Sequence, residues 1–113
     1  MANIASLSSP ADLQYTLASA NDNQITMVNF TAAWCKPCKK IKPTVQYMAT
    51  KYASRIKVYT VDVDTSPELV SHFEVHTMPT FIFFKNNKVV YVLQGASNDL
   101  LTQAFEILFA VTS

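Results

Sequence analysis

Four short apolar runs alternate along the chain with segments whose apolar residues recur at helical spacing. The runs are Ile25–Phe30, Ile56–Val63, Phe81–Phe84 and Val89–Leu93. They are rich in β-branched and aromatic residues, a composition typical of buried strands. The long segment between the first two runs repeats apolar residues every three or four positions, at Ile41, Val45, Met48 and Tyr52. This period predicts one long helix, kinked at Pro43 rather than ended there.

Three further helices are predicted outside these runs. Ser9 and Pro10 are a typical helix cap and first helical residue, and Asp12 suits the positive end of the helix dipole. A short helix is expected from Ser66 to Phe73, and a final one after Ser97. The inner face of the final helix is predicted to carry Leu101, Ala104, Phe105 and Leu108.

The last two runs are predicted to form an antiparallel hairpin. Only Asn86, Asn87 and the flanking lysines separate them, and asparagine tolerates the positive φ that a two-residue turn requires. The other runs are separated by helices, as in sheets that contain parallel strands. The expected fold class is therefore α/β with a mixed sheet.

Length and composition place residues 1–113 in one predicted domain. No Pro/Gly/Ser-rich linker interrupts the chain, half of its residues are hydrophobic, and 12% are aromatic, which is enough to build a core without metal. The apolar runs are far shorter than the ~20 residues of a membrane helix. The start of the chain lacks the pattern of a secretory signal, so a cytoplasmic protein is the default expectation. A net charge of +1 favours neither nucleic acid nor a membrane as a partner.

The candidate chemistry lies in Cys35 and Cys38, the only cysteines in the sequence. They stand where the first apolar run gives way to the long helix. The free N–H groups and positive dipole of that helix start favour a thiolate at Cys35. A spacing of three places Cys38 on the same face, able to attack a mixed disulfide formed by Cys35. Pro37 lies in the first helical turn, where an N–H would have no partner within the helix, and its ring stiffens the loop.

Two other interpretations of the cysteine pair stay open. His72 and His76 have the spacing of the second half of a zinc site. However, 33 residues separate Cys38 from His72, far more than the about 12–15 residues of finger-like sites. A structural disulfide is also conceivable, although closing so short a loop removes little chain entropy. We expect the histidines to be a helix-face residue and a loop residue instead.

Four segments resemble the thioredoxin family in their order and spacing. They are Val28–Lys39, which contains Trp34-Cys35-Lys36-Pro37-Cys38, then Val61–Asp64, Thr77–Phe81 and Gly95–Ala96. The resemblance implies a thioredoxin fold, with a central mixed sheet of about five strands flanked on both faces by about four helices. It also implies a cis peptide bond before Pro79, opposite the cysteines.

The same resemblance implies the activity and its site. In the family, Cys35 would attack a protein disulfide and Cys38 would resolve the mixed disulfide, which makes the chain a protein-disulfide reductase. Family members bind no cofactor and receive electrons from NADPH through a flavoprotein thioredoxin reductase; a monomer is expected. The residues implied to contact substrate are Trp34, Lys36, Pro37, Met78, Pro79, Gly95 and Ala96.

Two departures from the family pattern bear on the mechanism. Lys36 replaces the usual glycine and is followed by three more lysines within six residues. We hypothesise that this charge makes Cys35 more acidic and the pair more oxidising. Asn29 replaces a buried aspartate and Thr60 stands near the place of a lysine. Because an amide cannot take up a proton, water or Cys35 itself is expected to deprotonate Cys38.

Two alternative functions follow from these observations. Because of Lys36, one alternative is that the domain is more oxidising and acts as a disulfide oxidase or isomerase. The surface around Trp34 and Pro79 would also suit a non-enzymatic binding or regulatory subunit. Retention of both cysteines favours the enzyme.

Overall fold

The predicted strands and helices are all present in the computed structural model, which describes residues 4–110. The strands are β1 (Ala5–Ser6), β2 (Ile25–Thr31), β3 (Ile56–Asp62), β4 (Thr80–Lys85) and β5 (Lys88–Gln94). The helices are α1 (Pro10–Ser19), α2 (Lys36–Lys51), α3 (Pro67–His72) and α4 (Asn98–Ala110). Residues 1–3, which lack the basic segment of a secretory signal, lie outside the described residues.

Strand β2 lies at the centre of a five-stranded sheet with the order β1-β3-β2-β4-β5. Strand β3 runs parallel to β1 and β2, whereas β4 pairs antiparallel with β2 and β5. The predicted mixed α/β sheet is confirmed. Strand β1 was not predicted, because two residues carry no periodic signal. The Leu7 N–H extends its pairing by donating to the Thr60 carbonyl at 2.9 Å.

Each face of the sheet buries its own hydrophobic core, and alternate residues of β2 enter the two cores. Ile25 and Met27 join the core covered by α2 and α4, and Val28 and Phe30 join the core covered by α1 and α3. Burial of one such side chain contributes about 1.5–3 kcal/mol. The central strand is therefore held from both sides, as a sheet flanked by helices on both faces requires.

The helices differ from prediction mainly at their ends. Helix α2 continues through Pro43, and Ser66 and Phe73, predicted inside the third helix, are its two caps. On α4, the predicted inner-face residue Leu108 packs against the core but is only partly buried, and Phe109, which was not predicted, is buried in the same core. The Phe109 ring stacks on Tyr52 with centroids 4.7 Å apart. No helix within residues 4–110 is long and apolar enough to cross a membrane.

The hairpin between β4 and β5 turns at Asn86 and Asn87, as predicted. Their φ angles are 53° and 64°, in the left-handed region that asparagine enters more readily than most residues. The register shifts between Phe83 and Phe84, which marks a bulge near the turn.

Helix α1 begins with the predicted serine cap. The Asp12 N–H donates to Ser9 Oγ at 3.1 Å. The Ser8 N–H and hydroxyl donate to the Asp12 carboxylate at 3.1 and 3.0 Å. These bonds, with the Ser8 N–H the largest cause, hold the pKa of Asp12 below its ordinary value. The helix start is thus fixed by reciprocal hydrogen bonds.

Replacing Ser9 by alanine is expected to lower the free energy of unfolding by about 1 kcal/mol, because the Asp12 N–H loses its acceptor. Urea unfolding followed by circular dichroism measures the change. Ser71→Ala, at an exposed serine of α3, is the matched control and should stay within about 0.5 kcal/mol of the wild type. A Ser9→Ala effect no larger than that of the control would contradict a stabilising cap.

Candidate active site

The two cysteines form a disulfide at the start of α2. Cys35 is the N-cap residue and Cys38 lies in the first turn, with 5.3 Å between their Cα atoms. The Cys38 N–H donates to Cys35 Sγ at 3.2 Å. A backbone donor of the helix start therefore meets the sulfur, as the position of the motif predicted.

The disulfide is buried among apolar groups, although several neighbours are exposed. Cys35 is 3% and Cys38 6% exposed. They pack against Ala32, Val63 and Met78. Lys36 and Pro37 between them are exposed, and Trp34 is 65% exposed. A partner molecule would therefore meet Trp34, Lys36 and Pro37 before it reached either sulfur.

The exposed indole of Trp34 is held in place by an acidic residue from the other side of the site. Trp34 Nε1 donates to Asp64 Oδ2 at 2.9 Å, and the Asp64 N–H donates to Asp62 Oδ1 at 2.9 Å. The loop after β3 is thereby tied to the loop before α2. Asp64 ends the segment Val61–Asp64 that resembles the family, but the sequence does not predict its bond to Trp34. A carboxylate 30 residues away carries no sequence signal for a bond to an indole.

A cis peptide bond joins Met78 to Pro79, as the resemblance implied. Pro79 is buried and its carbonyl accepts the Gly95 N–H at 2.9 Å. Gly95 has φ of 96°, a conformation that residues with a Cβ rarely adopt, and a Cβ built there would meet nothing within 4 Å. Met78 packs on the disulfide, which places the start of β4 beside the cysteines. The bond from Gly95 to Pro79 brings the end of β5, followed by exposed Ala96, to the same end of the sheet.

Asn29 and Thr60 lie on neighbouring strands at the same level of the sheet. They are register partners in the parallel pairing of β2 and β3. Thr60 Oγ1 shares a hydrogen bond of 3.2 Å with Ser6 Oγ. Asn29 is 9% exposed, and its Oδ1 accepts no hydrogen bond from the described residues. Both residues line a cavity of about 460 Å³ that also reaches Cys38.

His72 and His76 are exposed and stand apart from the chemistry of the cysteines. His72 is the last residue of α3, where its ring meets Phe73 edge to face at 4.7 Å. His76 lies in the loop before β4. Between residues 4 and 110, no group of three or more His, Cys, Asp or Glu side chains is arranged to hold a metal ion.

Comparison with known proteins gives a consistent result. The family model described as Thioredoxin matches residues 8–106. Thioredoxin-1 of Drosophila yakuba is 36% identical over 99 residues, covering 88% of this chain and 92% of that protein. Thioredoxin of Gallus gallus is 33% identical over 105 residues, covering 93% and 98%.

Solved structures agree with these relatives. The X-ray structure of Fasciola hepatica thioredoxin superposes with a TM-score of 0.83 at 33% identity, covering 89% of this chain and 95% of that chain. The five-stranded sheet with four helices is thus the thioredoxin fold. The relatives and the Cys35–Cys38 disulfide together support thiol–disulfide oxidoreductase activity. This chain belongs to the thioredoxin family.

Proposed function

We propose that this chain is a protein-disulfide reductase that cycles between the Cys35/Cys38 dithiol and the disulfide. The observation that carries the proposal is the disulfide itself, placed at the N-cap of α2 with a backbone N–H on Cys35 Sγ. Backbone donors and the positive helix dipole at this position stabilise a thiolate. The nucleophile is therefore Cys35.

The reaction runs in two exchange steps. The Cys35 thiolate attacks one sulfur of the substrate disulfide, that S–S bond breaks, and the first substrate thiolate leaves and takes a proton from water. Cys38 then loses its proton and attacks Cys35 Sγ of the mixed disulfide, which releases the second substrate thiolate. The substrate gains two electrons, and the protein is left with the Cys35–Cys38 disulfide.

The surface around the disulfide suits an extended protein segment. Trp34 offers a large exposed ring, Met78 packs on the sulfurs, and Ala96 is exposed beside Gly95. Apolar contacts of this kind would hold a substrate chain over Cys35, while backbone groups beside Pro79 would pair with it as a strand. The open space beside Gly95 supports such an approach.

The partners we propose follow the same chemistry. Protein disulfides are the substrates, and a flavoprotein thioredoxin reductase returns electrons from NADPH to the Cys35–Cys38 disulfide. We further propose that the chain acts as a cytoplasmic monomer, independent of nucleic acid and membranes.

One feature of the site favours a second candidate function, that of a more oxidising enzyme. Lys36 lies directly after Cys35, is exposed, and forms no ion pair with any residue between 4 and 110. An unpaired cation next to the nucleophile stabilises the thiolate and hence the reduced form. A disulfide oxidase or isomerase would benefit from that shift.

Cys38→Ser is expected to trap substrates as mixed disulfides on Cys35, because the second exchange step loses its nucleophile. Non-reducing electrophoresis after incubation with a disulfide-containing protein measures the adducts, and dithiothreitol should cleave them by reduction. Cys35→Ser/Cys38→Ser is the control and should form none. A Cys38→Ser protein that forms no adduct but still binds its partners would favour a binding subunit instead.

Lys36→Gly is expected to make the reduction potential more negative by about 5–20 mV, the size expected for one exposed and screened charge. Equilibration with glutathione buffers measures the potential, and the shift should shrink in high salt. Lys57→Gln, at an exposed lysine of β3, is the control and should leave the potential unchanged. A potential that stays constant or rises in Lys36→Gly would defeat the hypothesis that Lys36 makes the pair oxidising.

A further inference from the structure

A second side chain shares the cavity behind the disulfide with Asn29. Gln46 lies on α2 two turns after Cys38, and both line the cavity of about 460 Å³. The remaining polar wall includes Lys39, Lys42 and Asp62. Nothing in the sequence marked Gln46, since its position on the helix suits a solvent-facing residue equally well.

The two amides of this cavity present buried acceptors with no donor. Asn29 Oδ1 and Gln46 Oε1 are both buried and accept no hydrogen bond from the described residues. Only Ser66 Oγ shares that property within residues 4–110, and it is not among the groups that line the cavity. A buried acceptor left unpaired costs free energy, so both oxygens are sites for a donor from outside the chain.

Water is a donor small enough to enter this cavity and reach a buried oxygen. It carries two hydrogens, and the cavity far exceeds the ~30 Å³ that one water occupies in the liquid. A water that donates one hydrogen to each amide oxygen keeps both lone pairs free. Those lone pairs can accept from groups that also border the cavity, and the Cys38 thiol of the reduced protein is one of them.

We propose that Gln46 is a positioning residue, which with Asn29 holds a water that removes the Cys38 proton. This inference rests on the proposed function and concerns its second step alone. The Cys38 S–H bond breaks and its electron pair stays on sulfur, while the proton passes to the water and on to solvent. The Cys38 thiolate then attacks Cys35 Sγ, and the bond from Cys35 to the substrate sulfur breaks.

The charged groups around the cavity are compatible with this path. Lys39 and Lys42 are exposed, so the cavity reaches solvent between groups whose positive charge favours a thiolate at Cys38. Asp62 is the remaining charged group, and its Oδ1 already accepts the Asp64 N–H. On the other side of the disulfide, Val63 and Met78 are apolar. In this proposal the two amides orient the water, and the two lysines stabilise the Cys38 thiolate that remains after the proton leaves.

Gln46→Met tests the proposal because it keeps the length of the side chain and removes the acceptor. Stopped-flow Trp34 fluorescence separates the two steps: attack depends on substrate concentration, whereas resolution does not. Resolution should slow about tenfold at pH 7, less than the roughly 10²–10⁴-fold that a general acid or base contributes, because Gln46 only orients the water. The pH midpoint of resolution should rise. Attack should keep the wild-type rate. Gln103→Met, at an exposed glutamine of α4, should change neither step.

Gln46→Glu supplies the opposite test by placing a base in the cavity. Resolution should become faster than in the wild type above the pKa of the new carboxyl and fall in acid. Unchanged resolution in Gln46→Met, or equal slowing of both steps, would overturn the proposal. The proposal would also be overturned if Asp62→Asn shifted the pH midpoint of resolution as much as Gln46→Met does, because Asp62 would then be the group that controls the proton. If the wild type shows no attack step at all, the proposed function itself fails.

Discussion

The site depends on one constraint, which is that β2 is buried on both faces and hydrogen-bonded along both edges. Residues 25–30 are buried, and β2 is hydrogen-bonded to β3 on one side and β4 on the other. A strand held in this way has little freedom to shift along the sheet, because a slip of one residue would exchange the side chains of the two cores. The chain leaves the end of β2 and reaches Cys35 within four residues of Thr31. Cys35 thus takes its position from the central strand of the sheet, which is buried on both faces.

The other parts of the site come to the disulfide from separate segments, each through one specific contact. Asp64 holds the Trp34 indole, Met78 packs on the sulfurs, and the Gly95 N–H ties the end of β5 to Pro79. These contacts place the buried disulfide between an outer surface, where Trp34, Lys36 and Pro37 are exposed, and a polar cavity that Cys38 lines. The first exchange step would use the outer surface, and proton removal from Cys38 would use the cavity.

Local patterns predicted most of the fold, and long-range contacts explain what they missed. Strands β2 to β5, the Asn86–Asn87 turn and the Ser9 cap follow from nearby residues. Strand β1 is too short to carry a period, and the unpredicted burial of Phe109 involves stacking on the ring of Tyr52. The cysteine pair was visible from spacing, whereas the cis bond at Pro79 came from the family resemblance. The partner of Trp34 and the orphan acceptor of Gln46 depend on tertiary structure that no local pattern encodes.

We propose above all that the Cys35–Cys38 pair reduces protein disulfides. Turnover of insulin disulfides, measured first with dithiothreitol and then with NADPH and a thioredoxin reductase, tests it most directly against Cys35→Ser. We expect activity with both electron donors and none in the variant. Activity with dithiothreitol alone would contradict the proposed reductase partner and favour an oxidase or isomerase. Inactivity with both donors would contradict the enzyme altogether.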